Sequence, residues 1–357
     1  MFYIRIMLKP IIISLILLVA GCAPAVEHTK DDVEARREGQ KEAVNPTSTG
    51  VLPTDTLERH ALATFDTNGP YAWYQPACIQ VNAQTRAILF FDPHGDGAHP
   101  LRLYRHLADE FGMVLMGSNE SENGMSMEQI LPHVREMLLA AEKAGIRKEQ
   151  VTFCGFSGGA KVALYTANSI PGITKVIYCG ASLNIPLRSD LALLGFAGRL
   201  DMNYTDMVQF EWYLQSQPQE HYLVEWEGDH RFPDAEVFRD GFRFATAKPL
   251  NLAGKEITIT PNEVREEQQK KQYLYNALLQ EDLGWWQQTV QKMKASPTPM
   301  DQRLLGFISL ACYSLGNRAA QQRNTALLEK IIPVYRAVDL ESEGPGELVA
   351  KLEGLKM

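Results

Sequence analysis

Paired cysteine motifs are missing from this 357-residue sequence. Its cysteines, Cys22, Cys78, Cys154, Cys179 and Cys312, stand far apart, with no Cys-x-x-Cys and no Cys/His spacing of the kind a zinc site uses. No metal site and no organic cofactor is therefore expected. Basic clusters are missing as well: 35 Lys and Arg face 43 Asp and Glu, a net charge of −8. An acidic chain without a basic stripe does not track a phosphate backbone, so nucleic acid is excluded as a partner. Cys154 and Cys179 lie in apolar, strand-like segments where buried free thiols are expected. A disulfide among the four later cysteines stays open, because the sequence does not pair them.

Long apolar runs are confined to the first residues. Arg5 and Lys9 precede an apolar run from Ile11 to Val19, too short to span a bilayer comfortably. The run ends in Val19-Ala20-Gly21-Cys22, which resembles the signal of bacterial lipoproteins, in which small residues precede a cysteine that is lipidated. A plain secretory signal or a short membrane anchor is the alternative. The resemblance implies lipid on Cys22, attachment to a bacterial membrane and an extracytoplasmic chain. Loss of Arg5 and Lys9 would take the net charge to −10, with 33 basic residues against 43 acidic. Residues 23–54 are polar and charged without apolar periodicity, the composition of a flexible tether.

From Arg86 onward apolar runs alternate with amphipathic stretches. Strand-like segments fall at 87–92, 113–118, 151–155, 174–180, 191–198 and 220–226, with helical spacing between and after them. Ser126 is a plausible N-cap and Gly145 a C-terminal stop for the helix of 126–145, in which Pro132 predicts a late start or a kink. Apolar strands linked by helices predict a mostly parallel sheet covered on both faces, an α/β fold occupying residues 55–250. Right-handed crossovers place every strand's C-terminal end on one edge, so functional residues should follow strands.

Ser157 follows a strand and opens a helix within Gly155-Phe156-Ser157-Gly158-Gly159. G-x-S-x-G alone is a common pattern, but strand, sharp turn and helix are the context a nucleophilic serine needs. The turn exposes Oγ, and it puts the Gly158 N–H at a helix N-terminus where an oxyanion would develop. A serine needs a base. His221 falls inside the last strand, whereas His230 lies in the loop directly after it. A carboxylate must orient that base. Asp190 precedes its strand, Asp206 belongs to a helix's first turn and Asp229 adjoins His230, which leaves Asp201 just beyond a strand end. The glycine-rich His94-Gly95-Asp96-Gly97 after the 87–92 strand offers a second oxyanion donor, the N–H of Gly95 or Asp96.

In the order Ser157, Asp201, His230 the chain resembles an α/β-hydrolase, and more narrowly the dienelactone-hydrolase and serine-esterase branch, over roughly residues 56–248. The resemblance implies that Ser157 attacks an ester or amide carbonyl. It makes His230 the proton shuttle, Asp201 its orienting acid, and Gly158 with Gly95 or Asp96 the oxyanion hole. His-Gly-Asp-Gly departs from the lipase-type His-Gly-Gly-Gly. Only about ten residues separate the strands at 174–180 and 191–198, where many relatives insert a cap, so an uncapped site open to bulky or polymer-linked esters is expected. The expected function is a membrane-tethered carboxylic ester hydrolase acting on such small or polymer-linked esters. A serine peptidase of this fold and an inactive binding lipoprotein are the alternatives.

Residues 262–357 have helical periodicity and no strand signal. Leu327, Leu328, Ile331, Ile332 and Tyr335 form one apolar face. No 34-residue recurrence supports a repeat array. A helical extension packed on the α/β part is expected, or one that borders the site mouth or binds a protein partner, with Trp285 and Trp286 as candidate contacts.

Overall fold

Eight strands form one sheet in the order β1-β2-β4-β3-β5-β6-β7-β8 in the computed structural model of the protein. The structure describes residues 64–253, 257–339 and 342–356. The lipoprotein-type signal, Cys22 and the tether of 23–54 lie outside the described residues. The chain divides into Met1–Arg59 and His60–Met357, and every element below belongs to the second unit.

β1 (Thr64–Asp66) and β2 (Tyr71–Gln75) are antiparallel, and β2 runs against β4 (Val114–Ser118). The remaining strands β3 (Ala87–Phe91), β5 (Val151–Phe156), β6 (Lys175–Cys179), β7 (Ala192–Gly198) and β8 (Glu220–Trp226) pair in parallel. This is the strand order of the α/β-hydrolase fold.

Successive side chains of a strand point to opposite faces, and here both faces are covered. Leu89, Phe91, Val114, Met116, Phe153 and Tyr178 pack toward α2 (Met127–Lys143), α3 (Gly158–Ser169) and α4 (Tyr204–Leu214). Ile88, Phe90, Leu115, Cys154, Ile177 and Phe196 pack toward α1 (Ala98–Phe111) and α5 (Ala235–Ala245). Two-sided burial explains why the strands read as continuous apolar runs. The Ser126 hydroxyl accepts from the Gln129 N–H while the Gln129 side chain takes the Ser126 N–H, a capping box that starts α2 at Met127. Pro132 therefore sits inside the helix and delays nothing. Gly145, at φ +100°, follows its last turn.

Five helices follow among the described residues: α6 (Pro261–Gln280), α7 (Leu283–Ala295), α8 (Pro299–Gln321), α9 (Thr325–Val338) and α10 (Gly344–Lys356). They have a core of their own, with Leu278, Trp286, Ile308, Cys312, Leu328, Ile331 and Leu348 at its centre. Trp286 is fully buried there and Trp285 packs edge-on against it. Trp286 is thus core, and Trp285 is partly buried beside it. Cys154, Cys179 and Cys312 are buried free thiols and Cys78 is an exposed one. No helix among the described residues is long and apolar enough to cross a membrane.

Candidate active site

The turn between β5 and α3 is built by close backbone crossing. A Cβ on Gly155 would lie 2.0 Å from the Gly159 carbonyl oxygen, and one on Gly159 would lie 1.9 Å from that of Phe91. Neither distance is tolerable, so both positions require glycine. Between them Ser157 takes φ 53° and ψ −119°, a strained conformation for a residue with a side chain. Its N–H is held by the Cys179 carbonyl at 2.9 Å.

Asp201 lies beyond the end of β7 and His230 beyond the end of β8, so the parallel register brings both to the edge where Ser157 stands. His230 Nε2 is 3.0 Å from Ser157 Oγ, and His230 Nδ1 is 2.9 and 3.0 Å from the two Asp201 carboxylate oxygens. An ionised carboxylate only accepts, so Nδ1 carries the proton and Nε2 is left as the acceptor facing the serine hydroxyl. Asp201 is fully buried, and its Oδ1 also accepts the Asn203 N–H at 2.7 Å. Phe156 packs on the imidazole with ring centroids 4.7 Å apart.

The other acids are engaged elsewhere. Asp190 pairs with Arg188, Asp229 with Arg231, and Asp206 accepts from Gln268 on α6. His221 sits between the Gln219 carbonyl and Glu211, away from the serine. Burial pushes the Glu211 carboxyl up from its ordinary range, with His221 opposing, and one Glu211 oxygen has no hydrogen-bond partner among the described residues.

The loop after β3 divides its donors unequally. The Gly95 N–H turns back to the Asp92 carbonyl at 3.3 Å, and the His94 N–H meets Asp92 Oδ1 at 2.8 Å. Burial pushes the Asp92 carboxyl upward, opposed by that His94 bond. Of the two expected donors Gly95 is therefore spent on the turn, while the Asp96 N–H makes no hydrogen bond among the described residues. The Asp96 side chain binds the N–H groups of Ala98 and His99 in the first turn of α1. Asn123, which the sequence did not single out, donates its N–H to the Pro93 carbonyl at 2.8 Å. Its side chain rests against Gly158, where a Cβ would meet Asn123 Oδ1 at 1.8 Å. Asp92 and His94 belong to no group of metal-ligating side chains among the described residues.

No protein-family model and no curated protein matches the sequence. Solved structures do. A dienelactone hydrolase (so described) of Klebsiella pneumoniae subsp. pneumoniae matches at 19% identity and TM-score 0.41, over 52% of this chain and 97% of its own. A hyperthermophilic esterase of the archaeon Pyrobaculum calidifontis matches at 12% identity and TM-score 0.41, over 50% of this chain and 79% of its own. A fluorophosphonate-binding serine hydrolase of Staphylococcus aureus matches at 12% identity and TM-score 0.40, over 52% and 97%. Likenesses of this size carry no argument about activity.

The C-terminal helices reach His230. A cavity of about 390 Å³ is lined by His230 and Met202 together with Leu305, Gly306, Ser309, Leu310 and Tyr313 of α8. Tyr335, Val338 and Asp339 from the end of α9 complete it. The spacing of the α8 residues is that of one helix face. The short link between β6 and β7 leaves no room for a cap, as the sequence indicates, and the wall comes from the far end of the chain instead.

The same helices grip the loop that carries Asp201. Lys271 of α6 donates to the Met202 carbonyl at 2.6 Å and to Thr205 Oγ1 at 3.0 Å. Arg303 of α8 donates to the Arg199 carbonyl at 2.7 Å and stacks over the Tyr204 ring at 5.0 Å. Glu267, fully buried, joins both cations, at 3.4 Å to Lys271 and 2.7 Å to Arg303. Sequence reasoning missed this network. Its only local trace is three charged residues on faces of α6 and α8 that otherwise bury apolar side chains.

Proposed function

We propose that the protein is a serine hydrolase that cleaves carboxylic esters. One observation carries the reading: a serine in a strained strand-to-helix turn lies 3.0 Å from an imidazole nitrogen whose opposite nitrogen meets a buried carboxylate. In this reading Ser157 Oγ attacks the ester carbonyl carbon as His230 Nε2 takes its proton. The positive charge that forms on the ring is stabilised by Asp201. The oxyanion of the tetrahedral intermediate faces the N–H groups of Gly158, at the start of α3 where helix N–H groups lack internal partners, and of Asp96. Collapse expels the alcohol, which takes the proton from His230, and leaves an acyl-serine. Water, deprotonated by His230, then attacks the acyl carbon and releases the acid.

The proposal includes a lipid on Cys22 that tethers the enzyme to a membrane on its extracytoplasmic side, supported by the residues around Cys22 alone. Replacement of Cys22 by serine should release the protein from membranes; membrane retention of C22S removes this part. For the chemistry, purified protein is assayed on aryl, acetyl and feruloyl esters beside aminopeptidase substrates. Ester turnover lost on Ser157→Ala supports the reading, and cleavage of amides alone overturns it in favour of a peptidase.

A further inference from the structure

The cavity beside His230 is not uniformly apolar. Leu305, Leu310 and Val338 line one part, Tyr313 and Tyr335 add two aromatic rings, and Asp339 is its one carboxylate. Asp339 caps the C-terminal end of α9, where unsatisfied carbonyls give a helix its negative pole. Its Oδ2 accepts from Ser309 Oγ at 2.8 Å and its Oδ1 from the Ser342 N–H at 3.2 Å. Both partners are neutral. Asp339 takes part in none of the ion pairs found among the described residues; Lys294, the cation recorded at this helix end, donates to the Ala337 carbonyl at 3.0 Å. Arg336, in the last turn, is exposed. Glu347 is a second acid nearby, accepting from the Tyr313 hydroxyl at 3.3 Å.

A half-buried carboxylate with no cation on it, a helix C-terminus and two tyrosine rings share one sign of preference. Each can favour a positive charge: the carboxylate and helix end by direct attraction, a tyrosine ring where a cation meets its face. Burial pushes the Tyr335 phenol up from its ordinary range, and the charge of Asp339 acts the same way while Ser342 and Ser309 oppose it. A neutral substrate arm would leave this negative pocket to water alone. Leu305, Leu310 and Val338 line the same cavity as His230 and Asp339 and suit a hydrocarbon spacer.

We propose that Asp339, with Tyr313 and Tyr335, forms a cation subsite of the cavity, and that the preferred substrates are esters bearing an ammonium group on the arm that passes His230 toward the C-terminal helices. This rests on the hydrolase reading for the word substrate; the subsite itself is a binding claim and is tested as one.

Isothermal titration of the full-length protein with choline and hexyltrimethylammonium is compared with titration by their uncharged isosteres, 3,3-dimethylbutanol and 2,2-dimethyloctane. At least one cation should bind about tenfold more tightly than its isostere, and Asp339→Asn should bring that ratio close to one. Asp339→Glu, which keeps the charge, should retain most of the preference, and its circular dichroism beside that of Asp339→Asn separates lost binding from lost folding. Equal binding of charged and uncharged probes, tighter binding of the uncharged alcohol, or a preference that Asp339→Asn leaves intact overturns the subsite. In parallel, kcat/KM for acetylcholine over 3,3-dimethylbutyl acetate should show the same ratio and the same loss. Cation binding without turnover of these esters or of 4-nitrophenyl acetate would count against the hydrolase reading and leave the subsite standing. Turnover of 4-nitrophenyl acetate without cation preference would do the reverse.

Discussion

Lys271 Nζ donates to the carbonyl of Met202 at 2.6 Å, and Met202 directly follows Asp201. Arg303 holds the carbonyl of Arg199 on the other side of the same turn. The acid that meets His230 is thus fixed from behind by two cations of the C-terminal helices, and those helices also wall the cavity in front.

Loss of that grip should weaken catalysis more than binding. Lys271→Met removes the donor, and the buried Glu267 carboxylate keeps its pair with Arg303 at 2.7 Å. The expected outcome is a fall in kcat of about 10-fold to 100-fold with KM little changed, because the substrate still meets the same cavity while Asp201 wanders. A change in KM alone, with kcat and its pH profile unmoved, would show that the network only holds the helices in place.

Asp201→Asn should lower kcat by roughly 10⁴, the scale seen when a triad acid is made neutral and the histidine tautomer reverses. Asp206→Asn should stay within a few-fold, since Asp206 binds Gln268 and lies off the histidine. Steady-state rates of the two variants on one ester decide between them.

Gly159→Ala should not fold normally. The added methyl would meet the Phe91 carbonyl oxygen at 1.9 Å, and that oxygen belongs to the backbone of β3, so it does not yield. Overpacking of this kind costs at least about 1–3 kcal/mol, read as a drop in Tm or loss of soluble protein. Gly346→Ala, on α10 with nothing within 4 Å of the new methyl, is the control expected to leave Tm nearly unchanged.

Glu211 offers a test by pH. Its folded carboxyl is raised, first by burial and against the pull of His221. A raised acid contributes stability that is fully present below its unfolded pKa and lost as pH rises through the folded value. Glu211→Gln should therefore raise Tm at about pH 8 relative to wild type, and the gain should disappear by about pH 3, where the carboxyl is protonated in both states. A gain that persists unchanged into acid would exclude the carboxylate as its source.

The alternation of apolar and amphipathic segments was enough to read the parallel part of the sheet, because two-sided burial leaves its mark on every strand. The positions of Ser157, Asp201 and His230 after strand ends followed from the geometry of right-handed crossovers, and the structure brings these three side chains within hydrogen-bond reach. β1 and β2 escaped notice because they are short, antiparallel and carry no continuous apolar run. The spent N–H of Gly95 depends on one turn's dihedrals, which composition does not encode. The reach of Lys271 to Met202 joins residues 69 apart in the chain, and the cavity wall joins His230 to residues farther still. Helical periodicity shows that a face is buried without showing against what, so the part that Leu310, Tyr313 and Asp339 take in the cavity wall is not legible in it.

The most direct test is covalent labelling of the serine. Full-length protein treated with a fluorophosphonate and analysed by peptide mass spectrometry should carry one adduct, on Ser157, that disappears in Ser157→Ala and falls sharply in His230→Ala. Folded protein that takes up no label, or takes it on another residue, would contradict the account.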